Sequence, residues 1–177
     1  MEKKKILITC FKPFHKRKEN SSEIILNMLL LPLKREFNNV VVDNVSLVVD
    51  KPFSMSKNEV DKLKEVLEKK YDFVLSMGEE LIYFKARFEK IDYDNQLNMY
   101  YVDDTVINKA YFEIKNKKRR WNSSPCNQVQ NILFNYSLTH QYETKWEFIH
   151  WPKIGFRQNS QQYIEELMLL FRHVLQK

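Results

Sequence analysis

Only two of the 177 residues are glycine, Gly78 and Gly155. Average usage of about 7% would place about a dozen in a chain of this length. Sites built on glycine-rich loops are therefore closed to this sequence. It contains no G-x-x-x-x-G-K that could cradle phosphates and no G-x-G-x-x-G that could open a dinucleotide site. With 44% hydrophobic and 29% charged residues the composition is that of an ordinary globular chain, neither disordered nor membrane-like. A chain of this size buries roughly 70% of its unfolded surface, which makes one core feasible. A single domain over residues 1–177 is expected, because no repeat, low-complexity linker or composition break divides it.

Apolar periodicity alternates between strand-like and helix-like runs. KKILITCF reads as a buried first strand and YDFVLSMG, ending at Gly78, as another. Asn20 with Glu23, and Ser56 with Glu59, have the spacing of capping boxes that open helices at SSEIILNMLLLPLK and NEVDKLKEVLEKK. NVVVDNVSLVV carries β-branched residues expected in one strand or a pair. FKARFEKIDYD, NMYYVDD and AYFEIKN have strand or irregular character. Residues 126–140 are expected to be helical, KWEFIHW extended, and a closing helix is expected from Ser160. The order β-α-β-α-β…α-β-α predicts a three-layer α/β/α sandwich with a mostly parallel, mixed central sheet.

Cys10 and Cys126 are the two cysteines, too few and too far apart for a disulfide framework or a zinc site. No metal centre or cofactor is predicted. The apolar run at the start is too short for a signal peptide, and no run approaches the ~20 residues of a membrane span. A cytoplasmic protein with reduced thiols and no membrane partner is expected. The net charge of +6 raises the question of nucleic acid. KNKKRRW, residues 115–121, is the densest basic run and is read as a solvated loop, with phosphate contact as the alternative.

Chemistry points first to Cys126. Ser124 is a good N-cap and Pro125 a good first helical residue, which places Cys126 in a first helical turn. Free N–H groups and the helix dipole there favour a thiolate and could stabilise an oxyanion. A lone cysteine at a helix start is more often simply a small buried hydrophobe. A nucleophile needs a base. His140 lies at the far end of the same helix, ~21 Å along its axis. His150 ends the strand WEFIH, and in open α/β sheets such strand ends and helix starts share one edge. Several carboxylates could orient the imidazole, and spacing does not select one.

Three segments resemble the pyroglutamyl-peptidase family, also called pyrrolidone-carboxylate peptidases. ILITCFKPFHKRKENSSEIILNML is similar to its opening strand, Gly-Phe-Glu-Pro-Phe-Gly loop and helix. YDFVLSMG is similar to its strand ending in Val-Gly. PCNQVQNILFNYSL with FIHWP is similar to its Cys-Asn helix and Phe-Ile-His-Val-Pro strand end. The resemblance implies a cysteine peptidase that removes an N-terminal pyroglutamyl group from peptides through a thioester. It maps the nucleophile to Cys126, the base to His150 and the acidic member to Glu89. It also implies that Phe11 and Phe14 flank the lactam and that Glu79 stands where a Gln reads it. A peptide or small amide would be the substrate, with dimeric or tetrameric assembly as in the family.

The chain departs from the family pattern in several places. Cys10 and His15 replace glycines, EELIYFKARFE lacks glycine, and the loop before Cys126 is shortened to WNSSP. A carboxylate at position 79 prefers a donor or a cation, so the preferred substrate can differ. A related amidase or acyl-transfer enzyme and a non-catalytic binding protein are the alternatives.

Overall fold

The computed structural model describes residues 3–50, 54–80, 86–92, 111–116, 124–140, 144–153 and 156–175. Strands β1 (Lys5–Phe11), β2 (Val41–Leu47), β3 (Phe73–Glu80), β4 (Arg87–Asp92), β5 (Tyr111–Asn116) and β6 (Lys145–Pro152) form one sheet in the order β2-β1-β3-β6-β4-β5. β2, β1, β3 and β6 run parallel; β4 pairs antiparallel with β6, and β5 is parallel to β4. The predicted mixed α/β sheet is what forms. NMYYVDD and most of the basic run 115–121 lie outside the described residues.

Helices α1 (Ser21–Glu36) and α4 (Phe156–Leu175) cover one face and α2 (Lys57–Leu67) and α3 (Pro125–Thr139) the other. Strand alternation divides the core between them. Ile6, Ile8, Cys10, Leu75, Met77 and Ile149 pack under α1 and α4. Leu7, Phe11, Val74, Trp146 and Phe148 pack under α2 and α3. Phe73 and Phe171 meet edge to face at 5.8 Å, tying α4 to the sheet. Each such fully buried ring contributes roughly 1.5–3 kcal/mol.

Local chemistry sets the helix starts. Asn20 accepts from the Ser22 N–H and Ser56 from the Glu59 N–H, as the sequence predicts. Glu59 does not turn back on its cap; its carboxylate takes the Val48 N–H and joins helix to strand. Two boundaries differ from expectation. α1 contains Pro32 as expected but runs past Lys34 to Glu36. α4 begins at Phe156, and Ser160 lies inside it, donating its hydroxyl to the Arg157 carbonyl rather than capping. Ser and Thr can bond back into the preceding turn, and sequence alone cannot separate that use from a cap.

Cys10 is fully buried beneath α1, and its sulfur lies 3.4 Å from the Ser46 hydroxyl. Burial pushes its thiol up from 9.0 to about 11. The folded state therefore keeps a neutral thiol that the unfolded chain ionises from about pH 9. This stabilisation is complete below pH 9 and is lost as the pH rises towards 11. Two pKa units correspond to about 3 kcal/mol. Cys10→Ala is expected to flatten the loss of stability between pH 9 and 11, measured by urea unfolding at a series of pH values. An unchanged slope would remove Cys10 as its source.

Candidate active site

The α3 N-terminus is built as its sequence requires. Ser124 is in extended geometry and its hydroxyl accepts from the Asn127 N–H at 3.2 Å. Its carbonyl accepts from the Gln128 N–H at 3.0 Å. Pro125 has no N–H to offer. The Cys126 N–H is therefore the one in the first turn that Ser124 does not engage, and it sits on the residue that carries the thiol.

The sheet brings His150 to the same place. β3 and β6 are parallel with Gly78 in register with His150. Both stand on the face that α3 covers. A methyl group built on Gly78 would lie 2.8 Å from Cys126 Sγ and 3.0 and 3.1 Å from His150 Cδ2 and Nε2. The thiol and the imidazole nitrogen thus crowd one point above the glycine. They can be no farther apart than those two short separations combined. Gly78 is required here because the helix and strand ends need its empty space.

Burial separates the two roles. His150 is 5% exposed, and the Phe148 ring meets it edge-on at 5.0 Å. Cys126 is partly exposed. An imidazole held in the protein beside a thiol open to solvent is the arrangement a nucleophile and its base need. Below Gly78, Thr9 donates to the Ser76 hydroxyl at 2.7 Å, satisfying the polar groups buried under the site.

Glu89 lies on β4. The antiparallel register pairs Arg87 with His150 and Glu89 with Phe148. Alternate pairs share a face, so positions 89 and 150 belong to the same side of the sheet.

The two phenylalanines separate. Phe11 is 2% exposed and packs into the core, with its N–H held by the Ser22 hydroxyl. Phe14 is partly buried and packs on the same cluster as Cys126. His15 follows in left-handed geometry, with φ 54°, where the resembling family has glycine. The Glu79 carboxylate is engaged within the protein. Oε1 accepts from Arg17 at 2.7 Å, and Oε2 accepts from the Ser21 N–H and hydroxyl at 2.7 and 2.8 Å. Arg17 and Ser21 are thus partners of Glu79 that the sequence motifs do not single out. The signal was present in a carboxylate at position 79 with three basic residues, 16–18, in the preceding loop.

This is an α/β sandwich with a thiol and an imidazole meeting at the carboxyl edge of its parallel strands. No protein-family signature and no curated protein sequence matches the chain. Solved structures do. A variant of the pyrrolidone carboxyl peptidase of the hyperthermophile Pyrococcus furiosus superposes with a TM-score of 0.67 at 18% identity, covering 97% of this chain and 98% of that one. The pyroglutamyl peptidase I of Bacillus amyloliquefaciens gives 0.63 at 15% identity, with 96% and 93% covered. The pyrrolidone carboxyl peptidase of Fervidobacterium islandicum AW-1 gives 0.67 at 16%, with 98% and 99% covered. The structural neighbours are pyrrolidone carboxyl peptidases, and the fold is theirs. Among the described residues no helix is long and apolar enough to cross a membrane.

Gly78→Ala is expected to leave the fold in place but to push the thiol and imidazole apart. Alkylation of Cys126 by iodoacetamide at pH 6–7 should slow by on the order of ten-fold, since the imidazole would stand too far off to take the thiol proton. Cys10, buried and neutral, should stay unmodified in the native protein. Equal alkylation rates in the variant and the native chain would show that Gly78 does not set the dyad.

Proposed function

We propose that the protein is a cysteine-type amide hydrolase that removes an N-terminal pyroglutamyl group from peptides. The observation that carries this reading is the convergence of Cys126 Sγ and His150 Nε2 above Gly78, at a helix N-terminus. His150 takes the Cys126 proton and the thiolate attacks the acyl carbonyl. The Cys126 N–H, with the helix dipole behind it, faces the negative charge that develops on the carbonyl oxygen. The intermediate collapses as the imidazolium gives its proton to the leaving amine, and the acyl group stays on sulfur as a thioester. Water, deprotonated by His150, then attacks the thioester carbonyl. The carboxylic acid leaves and the proton returns to sulfur. Glu89, two residues along β4 from the Arg87 that pairs with His150 and on the same side of the sheet, is assigned the role of holding the imidazole in the reactive tautomer.

Phe14, half-buried against the cluster that Cys126 also packs on, is assigned to flank the acyl group, with Phe11 in the core of that cluster. A second reading keeps the same thiol but changes the substrate to another N-acyl amide. It is favoured by Glu79, whose carboxylate is taken up by Arg17 and Ser21 at the position where the resembling family carries a lactam-reading Gln.

A panel of N-blocked aminoacyl reporter amides distinguishes the two. Turnover of the pyroglutamyl reporter supports the first reading; turnover confined to other acyl groups supports the second. Cys126→Ala should abolish turnover of whichever reporter is cleaved. Glu89→Gln should lower kcat by on the order of 10⁴, as loss of a tautomer-fixing acid does. Undiminished hydrolysis by Cys126→Ala would exclude this thiol as the nucleophile.

A further inference from the structure

Glu79 follows Gly78 on β3 and pairs in register with Trp151, next to His150. Its side chain is 3% exposed, so it has almost no open surface to offer a substrate. Its three donors come from two places. Ser21, the first residue of α1, gives its N–H and hydroxyl, which puts the carboxylate at a helix start where the dipole favours an anion. Arg17 gives its guanidinium from the preceding loop.

Arg17 makes a second contact. Its guanidinium carbon lies 4.7 Å from the centroid of the Phe14 ring, and its backbone N–H donates to the Phe14 carbonyl at 3.2 Å. The turn from 14 to 17 passes through His15 and Lys16 at φ 54° and 61°. Side-chain-bearing residues adopt that geometry only when their surroundings hold them there. Glu79 holds Arg17, and Arg17 holds both ends of the turn.

We propose that Glu79 and Arg17 are a positioning pair, a buried strut that fixes the 14–17 turn and presents the Phe14 ring to the acyl group of the substrate. The guanidinium serves both contacts at once, a nitrogen on the carboxylate and its central carbon over the ring, a pairing that its broad planar group suits better than the compact ammonium of lysine. The strut governs how firmly the acyl group is held, not how fast the thiol attacks. Its kinetic consequence rests on the proposed acyl transfer; its effect on the turn does not.

The test uses the full chain with Glu79→Gln, Arg17→Met and Arg17→Lys. Residues 15–18 read HKRK, so trypsin reports directly on the turn. Nicking within it is expected to accelerate in Glu79→Gln and Arg17→Met by on the order of ten-fold, because proteolysis follows the population of the loosened segment. Alkylation of Cys126 should stay within about two-fold in every variant, which separates a local effect from unfolding. For a cleaved reporter, KM should rise about ten-fold in Glu79→Gln and Arg17→Met with kcat nearly unchanged, the pattern of lost uniform binding. Arg17→Lys, which keeps the charge but loses the planar face, should fall between.

Unchanged nicking would overturn the strut. A fall in kcat and alkylation rate with KM unmoved would place the pair on the thiol instead. Improved turnover of the pyroglutamyl reporter by Glu79→Gln would show that position 79 reads the substrate. If the native chain cleaves no reporter, the proposed chemistry fails, and the nicking rates alone decide whether the strut exists.

Discussion

The site depends on one register pair, Gly78 beside His150 at the carboxyl ends of β3 and β6. The glycine has no side chain, so the first turn of α3 can come down onto the sheet until Cys126 Sγ and His150 Nε2 both crowd the space a Cβ would take. Interiors are close-packed, and one added carbon there has nowhere to go. In a chain with two glycines, one is placed where a helix start, a strand end and a neighbouring strand meet. The Thr9–Ser76 hydrogen bond just beneath lets this close approach occur over buried polar groups without stranding them.

Environment gives the two cysteines opposite characters. Cys10 is enclosed by the α1 side of the sheet, and loss of hydration holds its proton on until about pH 11. Cys126 sits on the opposite side, partly exposed, at a helix N-terminus and next to an imidazole. The carboxylates divide in a comparable way. Glu59 and Glu79 lie at helix starts and join them to other elements, through Val48 in one case and Arg17 in the other. Charges placed at helix N-termini here do structural work within the protein, and the chemistry is assigned to the helix whose first turn carries a thiol.

Much of this was legible locally. The caps at Asn20, Ser56 and Ser124 form at the positions their spacing implies, because a cap needs only its own few residues. The buried strands β1, β3 and β6 follow from short, mostly apolar runs. What misled was side chains with two local uses. Ser160 resembles a cap but bonds back into its own helix. Phe11 and Phe14, alike in the motif, separate into a core residue and a half-buried one because strand alternation sends Phe11 inward and the loop carries Phe14 towards the site.

Residue type and spacing determined the element types, the parallel sheet and a thiol at a helix start, since each is set by interactions spanning a few positions. They also pointed to His150 as the imidazole at the Cys126 edge, because parallel strands collect their ends on one edge. Tertiary structure decided the rest. It inserted β4 antiparallel beside β6, brought Gly78 under both the thiol and the imidazole, and paired Glu79 with Arg17 from 62 residues away. Those outcomes depend on which surfaces pack together and in what register, and local propensity does not contain that information.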